Sequence, residues 1–220
     1  MIKHRIKQLS SLIIGILRSP FFKSQYFIRR GYRHRKKYHH FSAIGATDQC
    51  QKEVYEIAEK VAAEYHIQSI IDVGCGSGYK LMKLFADKYE FIGIDIKSSY
   101  EHLVKNYSNF NWLDGEIVDY STLKADLVIC SDVIEHVVDP DDLLQKIKSI
   151  QGLKMIVIST PDRLLIRNWF DYGPPKNTTH VREWNGKEFA KYIASHQLEI
   201  ITHQMTNYND KTQLIVCKPR

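Results

Sequence analysis

The stretch "SDVIEHV", beginning at Ser131, holds two carboxylates and an imidazole: Asp132, Glu135 and His136. It follows "ADLVIC" (125–130), an apolar run with the character of a buried strand. Ionisable groups are costly to bury, so a buried strand that ends in three of them has a use for them. Two kinds of chemistry fit these types at this spacing. A histidine backed by carboxylates can take up a proton as a general base. The same oxygens and nitrogens can instead hold a divalent cation such as Mg²⁺ or Mn²⁺, which lowers the pKa of a bound hydroxyl. Further along, "STPDRLLIRNWFDYGPPKNTTHVREW" is a long polar and aromatic connection carrying His180, a second imidazole for either use. Structural roles stand beside these two: Asp132 as a turn cap, His180 as a stacked loop residue.

The elements that would position these groups can be traced by periodicity. "CQKEVYEIAEKVAAEYH" (50–66), "YKLMKLFADKY" (79–89), "SYEHLVKNY" (99–107), "DPDDLLQKIKSI" (139–150) and "NGKEFAKYIASH" (185–196) have helical character. "SIIDV" (69–73), "FIGIDI" (91–96), the region of "FNWL", "ADLVIC" and "KMIVIST" (154–160) have strand character. This alternation predicts an α/β chain, a doubly wound Rossmann-like sheet that is mostly parallel. The consecutive strands "LEIITH" and "TQLIVCK" add an antiparallel hairpin at the C-terminal edge.

Between the first strand and its helix lies "DVGCGSGY", with glycines at 74, 76 and 78. Glycine suits a sharp strand-to-helix turn whose backbone must come close to a ligand. The spacing is G-x-G-x-G; the third glycine of the dinucleotide fingerprint would fall on Tyr79, and no G-K-[ST] ending marks a P-loop. Asp95 ends the next strand, where a carboxylate can accept from both hydroxyls of a ribose.

Taken together, "IIDVGCGSGY", "FIGIDI", "WLDGEIVDY" and "ADLVICSDVIEHV" resemble the motifs of class I S-adenosylmethionine-dependent methyltransferases, over about residues 50–217. The resemblance implies S-adenosylmethionine as cofactor. Gly74, Gly76 and Gly78 would border its methionine part, Asp95 would hold the ribose, Ile96 would touch the adenine, and Asp114 with Gly115 would lie near the adenine amino group. Asp72, Cys75 and Ser131 complete the expected cofactor set. The E-H pair followed by a later histidine is similar to ubiquinone-type O-methyltransferases and to small-RNA 2′-O-methyltransferases, in which an E-x-x-E-H segment binds a divalent metal. Here Asp132 stands in place of the first Glu, one methylene shorter. The resemblance therefore implies Asp132, Glu135, His136 and His180 as metal ligands, and His136, Glu135 and His180 as catalytic groups. The expected reaction is methylation of a hydroxyl on a glycan, a lipid-linked molecule or a quinone-like acceptor. An RNA 2′-O-methyltransferase and a catalytically silent cofactor-binding module are the alternatives.

The charge is unevenly spread. Residues 1–40 hold eleven Lys/Arg and no acid, and the first acidic residue is Asp48. The remaining 180 residues hold 20 Lys/Arg against 25 Asp/Glu, about −5. Residues 1–45 thus read as a basic arm and 46–220 as the methyltransferase domain. In the arm, Ile2, Ile6, Leu9, Ile13 and Ile16 fall on one helical face, followed by the basic and aromatic "RRGYRHRKKYHH". Such a helix suits an anionic membrane interface, phosphates of a nucleic acid, or packing on the domain. No stretch approaches the roughly 20 apolar residues of a bilayer span. Cys50, Cys75, Cys130 and Cys217 form no C-x-x-C pair, which fits a reducing compartment. A cytoplasmic protein, peripheral to the inner face of the membrane, is the expectation.

Overall fold

A computed structural model of the chain describes residues 2–20, 23–36, 51–206 and 211–220. Seven strands form one sheet in the order β3-β2-β1-β4-β5-β7-β6, with β1 Ser69–Val73, β2 Glu90–Asp95, β3 Asn111–Asp114, β4 Leu127–Ser131, β5 Met155–Pro161, β6 Leu198–Met205 and β7 Thr212–Pro219. The first five are parallel to one another. The last two pair antiparallel, and β7 lies between β5 and β6, so the expected C-terminal hairpin ends the sheet with β6 outermost.

Helices cover both faces. α2 (Lys52–Glu64), α3 (Tyr79–Leu84) and α4 (Lys97–Asn106) follow α1 (Ile2–Arg18), and α5 (Pro140–Ser149), α6 (Arg163–Arg167) and α7 (Gly186–Ser195) come later in the chain. The strands read as continuous apolar runs because both of their faces are buried. In β4, Val128 and Cys130 join one core layer, and Leu127 and Ile129 join the other. α5 starts where the sequence provides a cap: Asp139 accepts from the Asp141 and Asp142 amides, and Pro140 occupies the first turn. α7 opens with an Asn185–Glu188 capping box.

The chain runs β1, β2, β3 outward in one direction and then returns to β4 and β5 on the other side of β1. This reversal between β1 and β4 opens a crevice at the C-terminal strand ends, where ligands of open α/β sheets bind.

Two features depart from expectation. The connection after β5 contains the short helix α6. In addition, residues 24–35 of the supposed arm are built into the domain. Ile28 is fully buried and Tyr32 nearly so. The Trp184 indole donates to Tyr26 O at 2.9 Å, and the Glu183 amide to the Tyr32 hydroxyl at 3.2 Å. The Arg33 and Arg35 amides donate to Tyr172 O and Val181 O. This strap is read as basic tail from its charge, yet its apolar residues fill the core. The expected boundary at 45/46, together with His39, His40 and Cys50, lies outside the described residues.

Candidate active site

A cavity of about 440 Å³ occupies the crevice, bordered by Gly74, Cys75, Gly76 and Ser77 of the glycine loop, Asp95 and Ile96 after β2, and Gly115 and Glu116 after β3. Ser131, Asp132, Val133 and His136 close its β4 side. The glycine loop is fixed from below: the Gly74 amide donates to Ile94 O at 2.8 Å, and the Gly76 amide to Asp95 Oδ2 at 2.7 Å. Asp95 Oδ1 accepts from the Ile96 amide at 2.8 Å. Asp95 thus holds the loop and borders the cavity at the same time.

Beneath the loop, Asp72 is fully buried. Its Oδ2 accepts from the Tyr55 hydroxyl at 2.7 Å, whereas Oδ1 has no partner among the described residues. Burial raises the Asp72 pKa to about 7, partly offset by the Tyr55 hydrogen bond and the charge of Lys80. Asp72, an expected cofactor residue, does not itself border the cavity; it precedes Val73 and Gly74, which do, and a desolvated carboxylate with one free oxygen is matched to a positively charged group.

On the other side of β4, Glu135, His136 and His180 each bring a ligand atom within 4.8 Å of the others. They come from two segments 44 residues apart, joined by backbone bonds: the Val181 amide donates to Glu135 O at 2.8 Å. His136 Nδ1 pairs with Thr179 O at 3.0 Å, and Nε2 faces Glu135 Oε1 at 3.8 Å. The two imidazoles meet edge to face, their centroids 4.8 Å apart. His180 Nδ1 contacts Glu183 Oε1 at 2.8 Å in a buried pair, and Nε2 faces the Asn177 amide at 2.9 Å. Glu183 thereby sets the tautomer that leaves the Nε2 lone pair outward. Glu135 Oε2 accepts from Thr160 Oγ1 at 3.0 Å, while Oε1 has no hydrogen-bond partner among the described residues. Burial, and then the nearby Asp132 charge, push the Glu135 carboxyl well above its ordinary range. Burial and His180 lower His136 to about 4, so its imidazole is neutral at neutral pH.

A buried carboxyl oxygen that accepts no hydrogen bond among the described residues, next to two imidazoles whose other nitrogens are oriented by a carbonyl and a carboxylate, is a donor set that suits a divalent cation. His136 borders both the cavity and this trio.

Comparison with known proteins matches this architecture. The sequence model of the methyltransferase domain family fits residues 27–203. The chain belongs to that family. Its fold is that of the class I S-adenosylmethionine-dependent methyltransferases, and the matched span starts within the strap, next to Ile28. Over 141 residues it is 32% identical to the ubiquinone biosynthesis O-methyltransferase of Rickettsia akari (strain Hartford), covering 56% of either chain. It thus spans about half the length of that relative. Among solved structures it resembles the methyltransferase domain of bacterial CtHen1-C, at 22% identity over 75% of this chain and 96% of that one, with a TM-score of 0.58. It also resembles magnesium protoporphyrin IX methyltransferase from Synechocystis PCC 6803, solved with bound SAH, at 15% identity over 77% of this chain and 83% of that one, TM-score 0.57.

Several expected residues of this methyltransferase lie elsewhere than anticipated. Gly78 does not border the cavity; it packs behind the loop, where a Cβ would come 2.6 Å from the Trp112 ring. Its φ of +67° gives a second reason for glycine there. Asp114 does not border the cavity either, since its Oδ1 accepts from the Glu116 amide and holds the turn that presents Gly115 and Glu116. Asp132 is outside the trio: its Oδ1 accepts from Ser159 Oγ at 2.8 Å, and the carboxylate sits on the cofactor side, so the expected four-ligand set contracts to three. Ser131 borders the cavity but directs its hydroxyl toward Ser159 Oγ.

Other contributors were not anticipated. Lys80, Gln51 and Tyr120 line the cavity, and Gln51 donates to Ser131 O. Glu183 was within reach of the sequence, because H-V-R-E puts a carboxylate three residues after His180. Tyr120 closes the quoted "WLDGEIVDY", whereas Gln51 had no such signal.

Proposed function

We propose that the protein transfers the methyl group of S-adenosylmethionine to a hydroxyl oxygen, with the cofactor in the 440 Å³ cavity and the acceptor over Glu135, His136 and His180. The observation that carries this is the position of His136, which borders both the cofactor cavity and the second imidazole. Asp95 would receive the ribose hydroxyls, Ile96 would contact the adenine, and Asp72 Oδ1 would face the ammonium end of the methionine. Sulfonium is a good leaving group, so alignment and exclusion of water do much of the work. What an alcohol or phenol adds is a proton to remove. A neutral His136 can accept it, or His180 can, its tautomer set by Glu183.

Glu135 Oε1, which accepts no hydrogen bond among the described residues, favours a second reading of the same site, in which Glu135, His136 and His180 hold Mg²⁺ or Mn²⁺. His180 would then release the Asn177 amide. When bound, such an ion would acidify the acceptor hydroxyl. The O-methyltransferase relatives support oxygen as the target, and the acceptor we favour is a quinone-like or lipid-linked hydroxyl compound. The RNA alternative loses support because Arg29, Arg33 and Arg35 direct guanidinium donors to the carbonyls of Trp169, Gly173 and Pro175.

Labelled S-adenosylmethionine offered with catechols, hydroxylated quinols and amines, with and without chelator, tests both readings. Label on oxygen acceptors supports the proposal; label only on nitrogen or carbon ends it. Loss of transfer in chelator and recovery with Mn²⁺ selects the metal, and insensitivity selects the histidine base.

A further inference from the structure

The first helix is attached to the domain by the wrong face for a core helix. Among the described side chains of α1, Gly15 is the buried one: the space a Cβ would need there is filled by the Tyr172 ring, and the Gly15 carbonyl lies against Gly31. The apolar stripe points the other way. Leu9, Ile13, Ile16 and Leu17 are exposed, Leu17 at 66% of its surface. Next to this root, Trp169 and Phe170 project from the connection after α6, Trp169 being 63% exposed. Arg29 ties the two together. Its guanidinium lies 3.9 Å from the Tyr172 ring centroid and 5.3 Å from that of Trp169, and it donates to Trp169 O.

We propose that the outward stripe of α1, together with Trp169 and Phe170, docks the protein on an anionic lipid surface. Six large apolar side chains held in water by a folded domain mark an interaction surface rather than chance exposure. An amphipathic helix beside an indole is suited to the boundary between headgroups and acyl chains. Charge selects the occupant. Residues 1–40 carry eleven Lys/Arg and no acid, and eight of these remain when Arg29, Arg33 and Arg35, which are turned to backbone carbonyls, are set aside, while the rest of the chain is about −5. An anionic bilayer therefore attracts this end and repels the body, which fixes orientation as well as affinity. A second copy docking through the same surface would bring two basic, acid-free segments together. An RNA would leave the leucine and isoleucine stripe in water.

Docking in this way also bears on access to the site. The connection that presents Trp169 and Phe170 continues directly to Thr179 and His180, so a hydroxyl compound dissolved in the bilayer would reach the trio along one segment.

The test is co-sedimentation of the full chain with vesicles of phosphatidylcholine alone or mixed with phosphatidylglycerol, at low and high salt. Three proteins are compared: the native chain, Ile13→Glu/Leu17→Glu, and Trp169→Ala/Phe170→Ala. Unchanged thermal unfolding and S-adenosylmethionine affinity establish that the variants are folded. Expected are salt-sensitive binding of the native chain to the anionic vesicles only, and about tenfold weaker binding of both variants. The proposal is overturned if the native chain ignores both vesicles, binds them equally, or binds no better than the variants. It is equally overturned if the variants instead abolish a concentration-dependent self-association, or if the native chain binds RNA at low salt and not lipid.

Discussion

The two halves of the proposed site are built by different means. The cofactor half is made largely of backbone at the ends of three adjacent parallel strands: the glycine loop after β1, Asp95 at the end of β2, and Gly115 after β3. The acceptor half is assembled from side chains that meet only after folding. Glu135 and His136 come from the end of β4, His180 and Glu183 from the far end of a long connection, and Tyr32 of the strap supports Glu183 from behind. A cofactor common to many reactions can be held by a fixed local motif, whereas acceptor chemistry is set by the segments that vary around it.

The sharpest way to break this comparison is to remove the one residue common to both halves. His136→Ala is expected to lower methyl transfer by about 10²–10⁴-fold, the range for loss of a general base or a metal ligand. Cofactor affinity should change by no more than a few-fold, because the glycine loop and Asp95 stay in place. Equilibrium binding beside single-turnover rates separates the two; a parallel collapse of cofactor binding would mean that the halves are not separable at this residue.

A second test addresses the strap. Ile28 is fully buried in the core layer that includes Trp184 and Tyr192. Ile28→Ala should cost about 2–4 kcal/mol of stability, as for other large-to-small core changes. Leu17→Ala, on the exposed stripe of α1, should stay within about 0.5 kcal/mol. Urea unfolding of both variants decides whether the boundary of the folded unit lies before residue 28; equal, small effects would return the strap to the arm.

These contrasts also explain what could be read in advance. The parallel sheet, the capped helices and the glycine loop with Asp95 were legible because each is a local pattern: apolar runs, cap residues such as Asp139, or glycines between a strand and a helix. The trio was only half legible. Glu135 and His136 stood out at a strand end, but the exclusion of Asp132 depends on Ser159, 27 residues away, capturing its carboxylate. Gly78 and Asp114 matched the motif and yet serve packing and a turn, since sequence spacing does not say which side of a loop faces the ligand. The strap was hidden by its charge. Five cations in Arg29–Lys36 dominate the composition, while its structural content resides in Ile28 and Tyr32 and in arginines that turn back to carbonyls.

Within the cofactor half, Asp95→Ala should weaken S-adenosylmethionine binding by about 10–100-fold, in keeping with about 1.5–3 kcal/mol for hydrogen bonds to a charged acceptor. The loss should appear in cofactor KM more than in kcat. Some of it will come from the loop, because Asp95 also receives the Gly76 amide. Asp95→Asn separates these contributions: it keeps an acceptor and should recover part of the affinity. An alanine variant that binds the cofactor normally would remove Asp95 from the ribose.

The smallest effect belongs to Asp72, and its sign differs with and without cofactor. With a folded-state pKa of about 7, raised chiefly by burial, Asp72 holds its proton in the folded chain where the unfolded chain has released it. Between its ordinary value near 3.8 and about 7, the folded state binds more protons, so the contribution of Asp72 to stability falls as pH rises through that window. Asp72→Asn can keep the Tyr55 hydrogen bond and removes the charge. The cofactor-free variant should therefore be more stable than the native chain at pH 8, by about 1–2 kcal/mol, and no more stable near pH 4. With S-adenosylmethionine the order should reverse at pH 8, because the cofactor ammonium stabilises the ionised Asp72 and gains nothing comparable from an amide. The same linkage predicts that cofactor binding near pH 6.5 releases a proton, visible as a calorimetric enthalpy that changes with the ionisation heat of the buffer. An asparagine variant that is less stable without cofactor, or that binds it as tightly as the native chain, would detach Asp72 from the cofactor and leave the glycine loop to hold the methionine end alone.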